Sequence, residues 1–291
     1  IAISERSGIP AMITHFKIRG KKNWGRSAAL IRRIDEARAA GIDVTMAQYP
    51  YTAGSTFLHV VIPPWYHSRG VDGLLRALRE ERGAIKHDLD TRMDWENFSQ
   101  SVGWEKIFVS SVVSEANQPC VGKSISQIAA ERGHADPADA AFDLLVEEQL
   151  AVGMISFGLD EADITAIMRH PAVSFITDGL MSGRPHPRAY ATYPRILGRY
   201  VREQGVLSLE EAVRKMTSLP ARKIRLRNKG VIAEGYDADL VVFDPDTVID
   251  KNSYDDPRVH PAGIAHVLVN GVFVVEDAAL TGARPGRVIR D

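Results

Sequence analysis

His15, Lys17, Asp178 and Arg188 are the residues of this 291-residue chain whose types and surroundings could do chemistry. His15 directly follows the apolar run Ala11-Met12-Ile13-Thr14, so its imidazole would stand at a strand end and could supply a neutral nitrogen to a metal. Asp178, in Thr177-Asp178-Gly179 after the apolar run 173–176, could bind a metal and remove a proton from a metal-bound water. Lys17 could polarise a carbonyl, or bridge metals if carbamylated. Arg188 closes Arg184-Pro185-His186-Pro187-Arg188 and could clamp a carboxylate with its planar fork. Each has a bland reading beside the sharp one. A histidine after a strand is more often a hydrogen-bonded core or loop residue, Asp-Gly is usually a turn, a lysine is usually solvated, and the basic segment could be a rigid loop. His59, His67, His87, His134, His170, His260 and His266 are scattered without ligand spacing and read as structural or solvated.

The elements that must position these groups alternate strand and helix, the pattern of an α/β protein with parallel strands. Residues 1–8 read as the end of a helix stopped by Gly8-Ile9-Pro10, so the chain is expected to begin inside a structure. Leu30, Ile31, Ile34 and Ala37 give helical spacing over 26–40, closed by Gly41, and a strand follows over 42–47. That strand runs into Tyr49-Pro50-Tyr51. Residues 57–150 are less regular and are expected to be an insertion capping one face, with a helix near 137–150. Regular structure is expected again from about 151, with a strand over 152–157 and a helix begun by Asp160. Ser208 and Glu211 predict a capping box ahead of the next helix. The last stretch changes period: a strand over 237–244 and a hairpin turning on Asn270-Gly271 predict a small β module.

Composition bounds the function. Lys plus Arg number 36 against 37 Asp plus Glu, a balance that lacks the concentrated positive field a nucleic-acid surface needs. The single cysteine, Cys120, sits in polar sequence and cannot make an internal disulfide, and no apolar run approaches the length of a membrane span. The expectation is a cytoplasmic protein with neither nucleic-acid nor membrane partners.

The stretches Thr14-His15-Phe16-Lys17, Asn23-Trp24-Gly25, Tyr49-Pro50-Tyr51-Thr52-Ala53-Gly54-Ser55-Thr56, Thr177-Asp178-Gly179, Arg184 to Tyr190, Lys215-Met216-Thr217, Gly235 to Pro245 and Thr281 to Val288 come in the order seen in N-acyl-D-amino-acid deacylases. Over nearly its whole length the chain resembles the C-terminal part of that D-aminoacylase branch of the amidohydrolase superfamily. The resemblance implies a metal-dependent TIM-type (β/α)8 barrel, of which residues 1–228 would hold about strands six to eight, and a small β-sandwich over 229–291. It implies hydrolysis of an amide C–N bond in a small molecule by a metal-bound hydroxide, with zinc, one ion or two, as cofactor. His15 would be a metal ligand, and Asp178 would bind metal and act as base and then acid. Lys17 would be catalytic and also contact substrate, and Tyr49 and Arg188 would contact substrate.

The departures carry expectations too. The family's first-strand His-x-His, a bridging ligand and a fifth-strand His-x-Arg have no counterpart in these residues, so most zinc ligands are expected from outside this chain. A second polypeptide supplying the N-terminal barrel half would complete a split enzyme, active only with that complement. The alternatives are a fragment of a single-chain deacylase and a non-catalytic binding or regulatory subunit that kept the fold. Phe57-Leu58-His59-Val60-Val61-Ile62 lacks the arginine that similar D-aminoacylases place there for a substrate carboxylate, and Ala47 stands where an acidic residue is common. That loop suggests a bulkier or less acidic substrate.

Overall fold

The computed structural model describes residues 1–289. Among these described residues ten strands are formed: β1 (Ala11–Ile13), β2 (Val44–Gln48), β3 (Ala53–Phe57), β4 (Ile107–Ser111), β5 (Gly153–Phe157), β6 (Val173–Phe175), β7 (Leu240–Phe243), β8 (Ile264–Val269), β9 (Val272–Glu276) and β10 (Ala279–Leu280). They make three sheets, β1-β2-β6, β3-β5-β4 and β10-β9-β8-β7.

The first sheet is parallel on both sides of β2. All five β2 residues are buried, as a central parallel strand covered on both faces requires. Val44, Met46, Val173 and Phe175 pack against Ile34 and Ala37 of helix Ser27–Ala39 and Ile164, Ile167 and Met168 of helix Glu161–Met168 in one core. Asp160 caps the second of these helices, accepting the Ala162 N–H at 2.9 Å, as its sequence predicts. Asp163 in turn accepts N–H bonds from Gly25 at 2.8 Å and Ser27 at 3.2 Å, while the Trp24 indole donates to the Gly158 carbonyl at 3.2 Å. The Asn-Trp-Gly stretch is therefore a joint between helices and not a chemical group. The first helix, Ala2–Ser7, ends on Gly8 in the left-handed conformation.

The insertion departs from its expected outline. β5 pairs antiparallel with both β3 and β4, so residues 153–157 close the insertion and do not return the chain to the parallel sheet. The inserted unit therefore extends beyond 57–150 at both ends, from Ala53 to Phe157. It is regular, with helices Gly70–Glu80, Ile125–Arg132 and Pro137–Glu147 over a separate core of Leu74, Leu78, Ile85, Ile128, Phe142 and Leu145. Cys120 is free and buried in that core, whatever the polarity of its sequence neighbours.

Two smaller expectations are adjusted. Ser208 does accept the Glu211 N–H, but the Glu211 carboxylate pairs with Arg214 at 2.7 Å, so only half of the capping box forms. The C-terminal module is one four-stranded antiparallel sheet, and among the described residues no second sheet makes it a sandwich. Its Asn270-Gly271 turn has φ values of 50° and 77°, both left-handed as a two-residue type I′ hairpin demands.

Candidate functional site

The C-terminal end of β2 gathers the candidate residues. Phe16 donates its N–H to the Ala47 carbonyl and Ile176 to that of Gln48, so the segments leaving β1 and β6 flank the end of β2 from either side, and Tyr49 follows between them. His15 and Asp178 stand at these two ends with φ of 53° and 49°. A non-glycine residue held in the left-handed region costs about 1–3 kcal/mol, and such strain collects where a side chain must be aimed. Here it aims His15 Nε2 at Asp178 Oδ1, 3.1 Å apart. Both side chains stay partly open, at 42% and 31% exposure.

The other Asp178 oxygen, Oδ2, takes a 2.6 Å bond from Arg188 Nη2. Arg188 is buried, its guanidinium lies 4.5 Å from the Tyr49 ring, and its Nε and Nη1 have no hydrogen-bond partner. Lys17 donates to the His15 carbonyl at 3.2 Å and stands 5.4 Å from the centre of the Tyr49 ring. Burial, with the Arg19 charge next, lowers the Lys17 ammonium to about 8. Burial raises the Tyr49 phenol, outweighing Arg188, so Tyr49 remains a neutral donor. All five residues expected from the sequence, His15, Lys17, Tyr49, Asp178 and Arg188, thus come together at the C-terminal end of β2.

His186 explains how Arg188 is set. Its Nδ1 accepts the Arg188 N–H at 3.0 Å, and its Nε2 lies 3.1 Å from the Ala53 carbonyl, an arrangement that fixes the neutral tautomer protonated on Nε2. Burial and the Arg188 charge hold its pKa well below the ordinary range, and Tyr51 and Tyr254 meet it edge to face. Gly179 lets the Asp178 turn lie against the helix carrying Arg188, because a Cβ there would come within 2.9 Å of Ala189 Cα.

Sequence reading missed Arg19. The signal was the alternation after β1: Phe16 and Ile18 are buried in the core, so Lys17 and Arg19 share the opposite side. It also did not identify the fixing roles of His186 and Tyr254. His134 and His170 pair with Asp143 and Asp35, each at 2.8 Å, in keeping with structural roles. Among the described residues no cluster of three or more His, Cys, Asp or Glu could hold a metal, so His15 and Asp178 supply two donors. No helix among them is long and apolar enough to cross a membrane.

The chain is similar to known proteins over its whole length. The sequence profile of the Amidohydrolase family matches residues 118–275. N-acyl-D-glutamate deacylase from Alcaligenes xylosoxydans xylosoxydans is 38% identical over 291 residues, 100% of this chain and 50% of its own. D-aminoacylase from the same organism is 36% identical over 288 residues, 99% of this chain and 50% of its own. Among solved structures, N-acyl-D-glutamate deacylase from Bordetella bronchiseptica, complexed with zinc and a phosphonate mimic of the tetrahedral intermediate, is 34% identical. It superposes with a TM-score of 0.78 over 100% of this chain and 52% of that one. The chain therefore spans about half the length of these relatives and matches their C-terminal half.

Proposed function

The chain belongs to the amidohydrolase family, and on that premise we propose that it is the C-terminal portion of a zinc-dependent enzyme that hydrolyses the amide C–N bond of an N-acyl-D-amino acid or a closely related small molecule. The observation that carries this reading is the meeting of His15 and Asp178 at 3.1 Å from two separate strand ends, with Arg188 fixed on the same carboxylate. An imidazole nitrogen and a carboxylate oxygen suit zinc, whose shell takes four donors, so the pair fits part of a site whose other ligands come from outside these residues. Bound zinc supplies Lewis acidity that polarises the carbonyl and brings the pKa of water towards neutrality.

The chain's own residues account for the remaining steps. Asp178 accepts the proton of the attacking water on a carboxylate oxygen and passes it to the departing nitrogen as the C–N bond breaks, leaving a carboxylate and an amine. Arg188 offers the unpaired Nε and Nη1 to the substrate carboxylate, a charge-assisted contact that orients the scissile amide. Lys17 and the neutral Tyr49 hydroxyl add further donors.

On this reading residues 1–228 are the last part of a (β/α)8 barrel, with β1, β2 and β6 as three of its strands, and residues 229–291 are a small β module beside it. The missing strands and ligands come from a preceding half, carried either on the same polypeptide or on a second one. Native mass spectrometry with metal analysis of purified protein tests this: zinc should be present only when the other half is. In the complete protein, Asp178→Asn should reduce turnover of N-acetyl-D-amino acids by about 10³-fold, since it removes the proton carrier. Full turnover in that variant would remove the assignment.

A further inference from the structure

The connection between β7 and β8, residues 244–263, starts and ends in the C-terminal module but leaves it in between. Val248 is fully buried in the core of the parallel sheet. Asp250 pairs with Arg195 at 2.6 Å, and Arg195 Nε donates to the carbonyl of Pro50, the residue after Tyr49, at 3.0 Å. Asn252 Nδ2 donates to the carbonyls of Pro187 at 2.9 Å and Pro257 at 3.0 Å. The Tyr254 ring stands edge to face 5.1 Å from that of His186 and 4.7 Å from that of Phe157, the last residue of β5. Asp255 pairs with Arg184 at 2.7 Å, and Arg258 donates to the Gly183 carbonyl at 2.5 Å. In chain order the connection therefore reaches the turn that carries Tyr49 and then the segment that carries Arg188.

Arg188 needs such holding. Its buried guanidinium spends Nη2 on Asp178 and, at 3.3 Å, on the Ser55 carbonyl, while Nε and Nη1 stay unpaired among the described residues. Buried donors without acceptors are costly, so the side chain gains from any shift that finds them one. Its anchorage opposes that shift. Arg188 is the first residue of helix Arg188–Arg195, where an N–H has no acceptor within the helix, and His186 Nδ1 accepts it at 3.0 Å. This bond lasts only while the His186 ring keeps its place between Tyr51 and Tyr254. The Tyr254 hydroxyl lies 3.5 Å from His186 Nε2, at the limit of a hydrogen bond, so the packing of the ring does the holding. Asn252 secures the intervening Pro187 through its carbonyl.

We propose that Asn252 and Tyr254 are positioning residues of the reaction, acting through Pro187 and His186 to hold Arg188 where its Nε and Nη1 meet the substrate carboxylate. The C-terminal module thereby takes part in catalysis without touching the substrate, and Phe157 brings the end of the insertion to the same aromatic cluster. This inference rests on the reading above for what Arg188 binds, while the anchorage itself stands on the contacts of Asn252 and Tyr254.

The test uses the complete zinc-loaded protein with N-acetyl-D-glutamate, N-acetyl-D-aspartate and N-acetyl-D-leucine, each beside its α-carboxamide. Tyr254→Leu should lower kcat/KM for the acids about tenfold, chiefly through KM, and leave the α-carboxamides within about threefold, because only the acids use the charge of Arg188. Asn252→Ala, which keeps the aromatic cluster and removes the tie to Pro187, should show the same split, so the test does not hang on one variant. Tyr254→Phe keeps the ring and should restore the acids to within about threefold of wild type. Equal losses on acids and α-carboxamides, or acids indifferent to both changes, would overturn the positioning role while leaving the deacylase reading intact. A wild-type protein that turns over the α-carboxamides as fast as the acids would instead remove the substrate role of Arg188, and one that turns over neither would remove the deacylase reading. The anchorage is then judged by hydrogen exchange of the Arg188 amide, which Tyr254→Leu should speed about tenfold while Val44–Gln48 is unchanged. An Arg188 amide indifferent to that change rejects it.

Discussion

Lys215 is fully buried with its ammonium donating to the carbonyls of Met168 and His170 at 2.5 and 2.7 Å, so it closes the C-terminal end of the helix that precedes β6. Burial lowers its pKa from 10.5 to about 8. The unfolded chain therefore holds more protons than the fold between these values, and stability should rise with pH from about 8 towards 10.5. Lys215→Met removes both that rise and the two hydrogen bonds, leaving buried carbonyls unpaired at a cost of about 1–3 kcal/mol near pH 7. Urea unfolding at pH 7 and pH 10 should show the gap between wild type and variant widening with pH; a gap that narrows would mean that Lys215 is not a desolvated ammonium in the fold. At this scale the sequence was legible where a residue's neighbours fix its direction. His15 and Asp178 follow short apolar runs that read as strands, and the C-terminal ends of parallel strands are where reacting groups gather. Arg19 was not legible, because nothing local distinguishes a cation stacked on Phe98, far along the chain, from one in water. Nor does local sequence reveal that the His186 ring would act as a cap for the Arg188 N–H.

Helix Pro137–Glu147 governs the insertion loop through the residue just after it, Glu148. Its carboxylate accepts the N–H groups of Val113 and Ser114 at 2.6 and 3.0 Å, the Asn117 amide at 2.7 Å and the Ser114 hydroxyl. Burial by itself would raise this group, but those four donors outweigh it and hold Glu148 at about 2. The loop so anchored leaves β4, whose Ser110 carbonyl accepts the Arg184 N–H at 2.7 Å, and Arg184 begins the segment that carries His186 and Arg188. Glu148→Gln should cost about 2–3 kcal/mol at neutral pH, since an amide cannot accept all the bonds the charge receives. The carboxylate's contribution is present above the unfolded pKa near 4.5 and fades as pH falls towards 2, so wild type and variant should converge over that window. Thermal unfolding at pH 7 and at the acid end of the window measures this, and a difference independent of pH would show that the charge is not what anchors the loop. The strands and helices read from the sequence form as such, but the stretch after Tyr51, which reads as a Gly/Ser/Thr loop, forms β3, and pairing was not legible. Gly153–Phe157 has the apolar content of a parallel core strand, and only its partners, β3 and β4, reveal an antiparallel return. The insertion looked irregular because its helices are short and Pro63-Pro64 interrupts the apolar period, although each short helix still buries one apolar face.

Across the molecule, the two cores differ in how completely they are enclosed. The insertion closes its apolar cluster with helices of its own, whereas the three-stranded parallel sheet pairs β1 and β6 with β2 alone, leaving their outer edges without a strand among the described residues. Near it, an apolar groove of about 610 Å3 runs between Tyr193, Leu197 and Met216 and the β7–β8 face, with Val241 at 55% exposure and Ile232 at 88%. Open parallel edges and an apolar groove are liabilities that folded proteins cover. The proposed first half would cover them, and it would do so by extending the same sheet, which makes the idea measurable strand by strand. Hydrogen exchange on the described chain alone should find the amides of Ala11–Ile13 and Val173–Phe175 exchanging well before those of Val44–Gln48, because β2 is paired on both sides and its neighbours on one. In the complete protein the three strands should exchange together at the slow rate, since each would then be central. Edge strands that already match β2 in the chain alone, or that stay fast in the complete protein, would mean that the sheet is not continued by further strands, and the barrel reading of residues 1–228 would fall with it.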